Sequence, residues 1–210
     1  MRLAAGVPQE ACVDTDTILS GSMCAALRAA GIKGVFRYLS DLTVSEITTI
    51  LVSGLKLYFV NHSRDPGWIP SGAEGKLDGE RDVGQLQKLG VPRGVHIAFD
   101  LEGVGGGNPA AVMAHVNAWA AEVQAAGYLA ALYVGEQALL TSAQLYALLV
   151  TLYWVSASLI RDIAGIAAVP ECDWAIIQGR PVDVVVAGVT VDFDTIYEDN
   201  KGRVPIGVAA

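Results

Sequence analysis

Eight short runs rich in β-branched and aromatic residues recur along the chain, and this alternation limits the fold more than any other feature. The runs are Ala11–Asp16, Val35–Ser40, Lys56–His62, Val95–Glu102, Leu129–Gly135, Leu152–Ser158, Asp173–Gln178 and Thr190–Tyr197. Between them lie Ala-rich or Leu-rich stretches opened by helix starters. Ser22 precedes one that stops at Gly31, and Thr43 to Glu46 has the form of a capping box. Pro109 opens a long helix to Ala126 with Gly127 as its stop, and Thr141 or Ser142 caps the next. Strand, helix, strand repeated end to end implies a mostly parallel sheet with right-handed crossovers. Eight strands point to a closed barrel of the α/β, TIM-type (β/α)8 class.

The regularity breaks near the end. Gln178 and Asp192 are too close in sequence for a helical crossover. The stretch 181–194, PVDVVVAGVTVDFD, reads as two β-runs around an Ala-Gly turn, which is hairpin-like. The barrel is therefore expected to be irregular and strand-rich after strand six, with some helices missing. A length of 210 residues fits a single domain spanning 1–210.

Composition removes several function classes. Hydrophobic residues make up 52% and charged residues 17%, which excludes a disordered chain. The 14 Lys and Arg against 22 Asp and Glu give a net charge of −8, which argues against nucleic acid and anionic membranes as partners. Cys12, Cys24 and Cys172 are too few for a disulfide framework and read as small buried hydrophobes. Residues 1–10 lack the pattern of a secretory signal, and the most apolar stretch, 139–160, is interrupted by polar residues. The expectation is a soluble protein made in the cytoplasm.

The placement of the acids carries more than their number. Asp100 and Glu102 sit in FDLEG at the end of the run VHIAFDLEG; two apart on a strand, they share a face. Asp14 and Asp16 repeat the pattern in ACVDTDT, and Asp192 and Asp194 repeat it in VTVDFDT. In parallel barrels reactive groups occupy the carboxyl ends of strands, and the first and last strands of a closed barrel are neighbours. Six carboxylates should thus crowd one mouth, where mutual repulsion raises some of their pKa values. An acid at a strand end otherwise only caps the next helix, but three such pairs favour a chemical use.

Two chemistries suit such a cluster. Glycoside hydrolysis needs one protonated acid and one ionised carboxylate, and oxygen-rich sites bind Mg²⁺ or Ca²⁺. His62, His96 and His115 show no paired zinc-ligand spacing, which makes zinc the less expected ion; no metal ligand and no cofactor is assigned from the sequence. His62, ending strand three, is the histidine able to reach the mouth. Tyr133, Trp154 and Gln178 are further candidates there, as stacking surfaces and as an amide able to read hydroxyl or acetamido groups; Gln178 should alternate inward with Trp174 and Ile176. Arg37 and Tyr38 lie on opposite faces of strand two, and alternation alone leaves open which points inward. GVGGGN at 103–108 reads as a flexible loop, and the segment from His62 to Glu80 as a long surface loop carrying Trp68.

With these residues the chain resembles the glycoside hydrolase family 25 lysozymes, and more closely the related glycoside hydrolase-like barrels known as domain of unknown function 1906. The likeness rests on ACVDTDT, GVFRYLS at 34–40, AFDLEG at 98–103, GYLAALYVG at 127–135, LYWVSAS, and the closing WAIIQG and GVTVDFD. It implies an enzyme acting on peptidoglycan or a related polysaccharide, cutting the β-1,4 bond after N-acetylmuramic acid. Glu102 would be the general acid, Asp100 would orient the substrate and stabilise developing positive charge, and Asp14 and Asp192 would match the family's other mouth carboxylates. Asp16, Asp194, Tyr133, Trp154, Gln178 and His62 would contact substrate. Where those lysozymes commonly carry Asn two residues after the last mouth aspartate, this chain has Asp194. A divalent-metal hydrolase using the same acids and a non-catalytic carbohydrate-binding barrel are the alternative readings. With no signal peptide, such a protein would reach the cell wall by release or by another delivery system.

Overall fold

The computed structural model describes residues 1–159, 173–186 and 188–210; Ile160, Cys172 and the Ala187 of the anticipated turn lie outside them. The chain runs β1 (Arg2–Ala5), β2 (Ala11–Thr15), α1 (Gly21–Ala29), β3 (Gly34–Tyr38), α2 (Val44–Val52), β4 (Lys56–Asn61), α3 (Gly72–Lys88) and β5 (His96–Leu101). It continues through α4 (Pro109–Ala125), β6 (Leu129–Val134), α5 (Ser142–Tyr146), β7 (Leu152–Val155), β8 (Ile176–Gln178), β9 (Val184–Val186), β10 (Val189–Ile196) and β11 (Ile206–Ala209). Strands β2 to β8 follow one another in parallel, and β4 closes onto β5. The last place is taken by β10, between β8 and β2, so the eight staves are the eight runs anticipated from sequence.

One stave is reversed. The β9–β10 hairpin turns the chain round, so β10 runs antiparallel to both barrel neighbours. Hydrophobic alternation is identical in either direction, so it carries no information on this point. The strands β1 and β11, not anticipated, pair with each other, and β11 bonds to the start of β4 through Val208 and Leu57. There the backbone N–H of Ile206 donates to His96 Nδ1 at 3.0 Å, so His96, at the beginning of its strand, serves the barrel base.

Apolar residues form two layers. Inside the barrel, Phe36 stacks between Tyr58 and Trp154, with ring centroids at 4.7 and 4.5 Å. Outside it, a larger shell joins the strands to the helices. Trp174 belongs to that shell and meets Tyr153 edge-on; β8 begins only at Ile176, so the inward alternation with Gln178 does not extend back to position 174.

The helix starts mostly follow their caps. Asn108 caps α4 with Pro109 in its first turn, and Thr141 with Gln144 forms a full capping box on α5. The cap of α1 is Ser20, two residues before the expected Ser22. Thr43 caps α2, but Glu46 turns away from the box to accept from Leu19 N and from Arg37 Nε, both at or under 2.9 Å. The ion pair fixes the open orientation on β3: Arg37 points outward and is fully buried against Glu46 and the Thr15 carbonyl, leaving Tyr38 to point inward.

The second half of the supposed surface loop is the helix α3. Its glycines hid it, because glycine lowers helix propensity by about 1 kcal/mol. They serve packing instead: a Cβ on Gly75 would overlap the His115 carbonyl, 2.7 Å from its carbon, and one on Gly79 would lie 2.9 Å from the Trp119 carbonyl oxygen. The two helices touch backbone to backbone, which lets Trp119 Nε1 donate to Asp82 at 2.8 Å and His115 Nε2 meet Asp78 at 3.1 Å. Gly75→Ala is expected to force α3 off α4 and cost about 1–3 kcal/mol by overpacking, read as a lower midpoint in urea unfolding.

Candidate active site

The carboxyl ends of β2 to β8 and the amino end of β10 surround a cavity of about 440 Å³. Asp14, Asp100, Glu102, Asp192, Tyr133, Trp154 and Gln178 all line it. His62 stands beside it, its Nδ1 2.5 Å from Asp100 Oδ2, with 46% of its side chain exposed. Two more of the anticipated residues do not line the cavity. Asp16 lies past the end of β2 and faces an adjoining groove of about 410 Å³ with Ser40, Asp41 and Thr190. Asp194 lies beneath: because β10 descends from the mouth, Asp192 pairs with Asp14 at the rim while Asp194 pairs with Cys12 one layer down. There it is buried and accepts from Trp154 Nε1 at 2.9 Å.

Gln178 braces the acids. Its Nε2 donates to Asp14 Oδ2 at 2.9 Å and to Asp192 Oδ2 at 3.3 Å, while its Oε1 accepts from Tyr133 O–H and from Ala157 N. Every hydrogen-bonding position of the amide is thereby filled by protein, so its place is that of an orienting group. Tyr38 O–H approaches Asp14 Oδ1 at 3.4 Å, and Asp183 N donates to Asp192 Oδ1 at 2.6 Å.

Glu102 is positioned from three sides. Trp68 is buried on the barrel flank, and its Nε1 donates to the Glu102 carbonyl at 2.8 Å. Gly103, in a left-handed conformation, bonds through its N–H to Glu136 O and through its carbonyl to Gly67 N. Gly105 N donates to Trp68 O, so the first half of the glycine-rich loop is stitched down where sequence suggested flexibility. Gly135, at the end of β6, leaves the room that the Glu102 side chain occupies: a Cβ there would overlap the carboxylate and come 2.6 Å from the Glu102 Cβ. Gly135→Ala should therefore displace the carboxyl and lower turnover by about 10- to 100-fold, since ångström-scale misplacement costs that much, and overpacking should cost about 1–3 kcal/mol of stability besides; single-turnover rates beside thermal unfolding curves measure the two.

Burial dominates the electrostatics. It raises Glu102 to about 7, with repulsion from Asp100 second. Burial also raises Asp14 to about 7 against the lowering hydrogen bond from Gln178. Asp194 is held well above the ordinary carboxylate range by burial and then by Asp14, Asp100 is raised by burial despite His62, and Asp192 is raised by burial. His62 is raised chiefly by its hydrogen bond to Asp100. Repulsion among the acids, the cause expected from sequence, thus comes second to desolvation. The mouth can hold a protonated Glu102 beside a carboxylate that His62 neutralises, which is a proton donor next to an anion.

Several lining residues escaped the sequence reading: Glu136, Ser156, Ser158, Arg180 and Asp183. Glu136 directly follows the anticipated run that ends at Gly135, and extending that run by one residue would have found it. Arg180 follows Gln178 by two and had the same signal. Ser158 ends the anticipated run Leu152–Ser158 on the same face as Trp154 and Ser156, whereas Asp183 had no such signal. The described residues also bring His62, Asp100 and Glu102 together with ligand atoms within 4.8 Å of one another, a grouping that chain spacing does not disclose.

A family model for the Rv2525c-like, glycoside hydrolase-like domain matches residues 25–196. The chain belongs to this family. The match covers Asp100, Glu102 and Asp192, while Asp14 precedes it. Among solved structures, an uncharacterised protein of B. stearothermophilus superposes with a TM-score of 0.67 at 19% identity, over 89% of this chain and 95% of that one. The spore cortex lytic enzyme SleM of Clostridium perfringens gives 0.62 at 10% identity, over 89% and 67%. The modular autolysin LytC of Streptococcus pneumoniae, in complex with a synthetic peptidoglycan ligand, gives 0.59 at 14% identity, over 90% of this chain and 46% of the autolysin. These likenesses establish a shared barrel fold for the glycoside hydrolase-like domain. No functionally curated protein matches the chain. No helix among the described residues is long and apolar enough to cross a membrane.

Proposed function

We propose that this domain is a peptidoglycan-degrading glycosidase of the muramidase type, cutting the β-1,4 bond after N-acetylmuramic acid. The observation that carries the reading is the pairing of Glu102, held to about 7, with the buried Asp100, whose Oδ1 has no protein partner. Glu102 donates its proton to the leaving glycosidic oxygen. Asp100 faces the sugar, holding a donor group such as an acetamide and stabilising the positive charge that develops as the bond breaks. Asp14 and Asp192, braced by Gln178, add negative potential, and Tyr133 offers an aromatic face to a sugar ring. The grooves beside the cavity, one with Asp16 and Asp41 and another beyond Glu102 with Pro66 and Gln137, give the mouth the extended form a polymer needs. The wall-lytic names of the autolysin and the spore-cortex enzyme agree with this assignment.

Mass analysis of products from purified peptidoglycan tests it. New reducing ends on N-acetylmuramic acid are expected; cleavage leaving N-acetylglucosamine at the reducing end, or bound glycan with no cleavage, would overturn the proposal. The pH profile follows from Glu102. A general acid must be protonated, so kcat/KM should fall as pH rises through about 7.

A further inference from the structure

The grouping of His62, Asp100 and Glu102 offers one imidazole nitrogen and two carboxylates, with the donor atoms within 4.8 Å of one another. Asp100 is the inner member: only 6% of its side chain is exposed, and its Oδ1 is buried without a hydrogen-bond partner. His62 is the outer member and is open to solvent, so an ion has a path to the site. We propose that these three residues form a binding site for a divalent cation of the Zn²⁺ type, and that occupancy switches off Glu102 as an acid. The switching half rests on the role of Glu102 given above. The donor set selects the ion: imidazole with carboxylates suits Zn²⁺ and its neighbours, whereas Mg²⁺ and Ca²⁺ favour oxygen alone. Three protein ligands leave a fourth tetrahedral position to water. A cation held among His62, Asp100 and Glu102 takes the place from which the Glu102 carboxyl would approach the glycosidic oxygen. The ion is thus an inhibitor of the proposed reaction and competes with glycan.

The full chain, stripped with a chelator and desalted, is titrated with Zn²⁺ by calorimetry and with Co²⁺ by visible absorption, with Mg²⁺ alongside. The expected result is one Zn²⁺ per chain, ligand-field bands with Co²⁺, and no comparable binding of Mg²⁺. His62→Ala, at an exposed position, should weaken Zn²⁺ binding at least about tenfold, since even loss of a supporting partner costs that much; Asp41→Asn in the adjoining groove should leave it unchanged. Absence of saturable binding, or His62→Ala binding as tightly as the native chain, would overturn the site. Hydrolysis of purified peptidoglycan should fall as Zn²⁺ saturates the native protein and recover with chelator. Hydrolysis that persists with the site full, or that requires the ion, would overturn the switch. If the metal-free protein cuts no glycan at all, the muramidase reading fails while the titrations still decide the metal site.

Discussion

Replacing Glu102 by Gln should lower glycan hydrolysis by about 10²- to 10⁴-fold, the range that a positioned general acid contributes. The amide keeps the shape and the contacts of the side chain but has no acidic proton for the leaving oxygen. Binding of glycan fragments, followed by calorimetry, should survive. The fold should survive as well, and linkage gives the sign. Glu102 is raised from 4.5 to about 7 in the folded state, so ionising it costs folding free energy progressively as pH rises from about 4.5 to 7. The neutral amide is free of that cost, so Glu102→Gln should unfold at the same temperature as the native protein or above it at pH 7.5. Unchanged hydrolysis would remove Glu102 from the chemistry.

The largest expected loss of stability comes from the other face of the barrel. Arg37→Ala leaves Glu46 buried with the Leu19 N–H as its remaining donor, and deprives the Thr15 carbonyl of its donor. Breaking a buried pair from one side costs about 3–5 kcal/mol. Thr15 ends the strand that carries Asp14, so the barrel seam beside the mouth should loosen with it. Urea unfolding measures the loss. The double variant Arg37→Met, Glu46→Leu removes both charges and should recover much of it, because apolar replacement of a buried pair is often neutral or better. Equal destabilisation by the single and double variants would show that packing, and not the unpaired charge, sets the cost.

What was legible in the sequence divides along physical lines. All eight staves were visible because β-branched alternation is a local signal, and Asp100 and Glu102 were visible because they end a strongly apolar run. Strand direction is a property of the connection, so the β9–β10 hairpin was recognised while its effect on Asp192 and Asp194 was not. The helix α3 was hidden because Gly75 and Gly79 are chosen for contact with α4, against local propensity. The partner of Arg37 was out of reach for a related reason: Glu46 looked committed to a capping box, and only the packing of α2 on β3 reveals its other use. The meeting of His62 with Asp100 depends on the β4–β5 pairing that closes the barrel, which joins residues 38 positions apart.

The reversed stave has a bearing on how this barrel could be diversified. On β2 to β8 the positions free to vary with ligand come after the strand, and those that hold the framework come before it. On β10 the order is inverted: Thr190 and Asp192 face the outer grooves, whereas Asp194 and Ile196 are embedded in the stem. A library that randomised every strand's trailing residues would spoil the framework at this one place and leave its contribution to ligand choice untouched. Randomising the leading residues of β10, together with the trailing residues of the other seven, would address the whole rim.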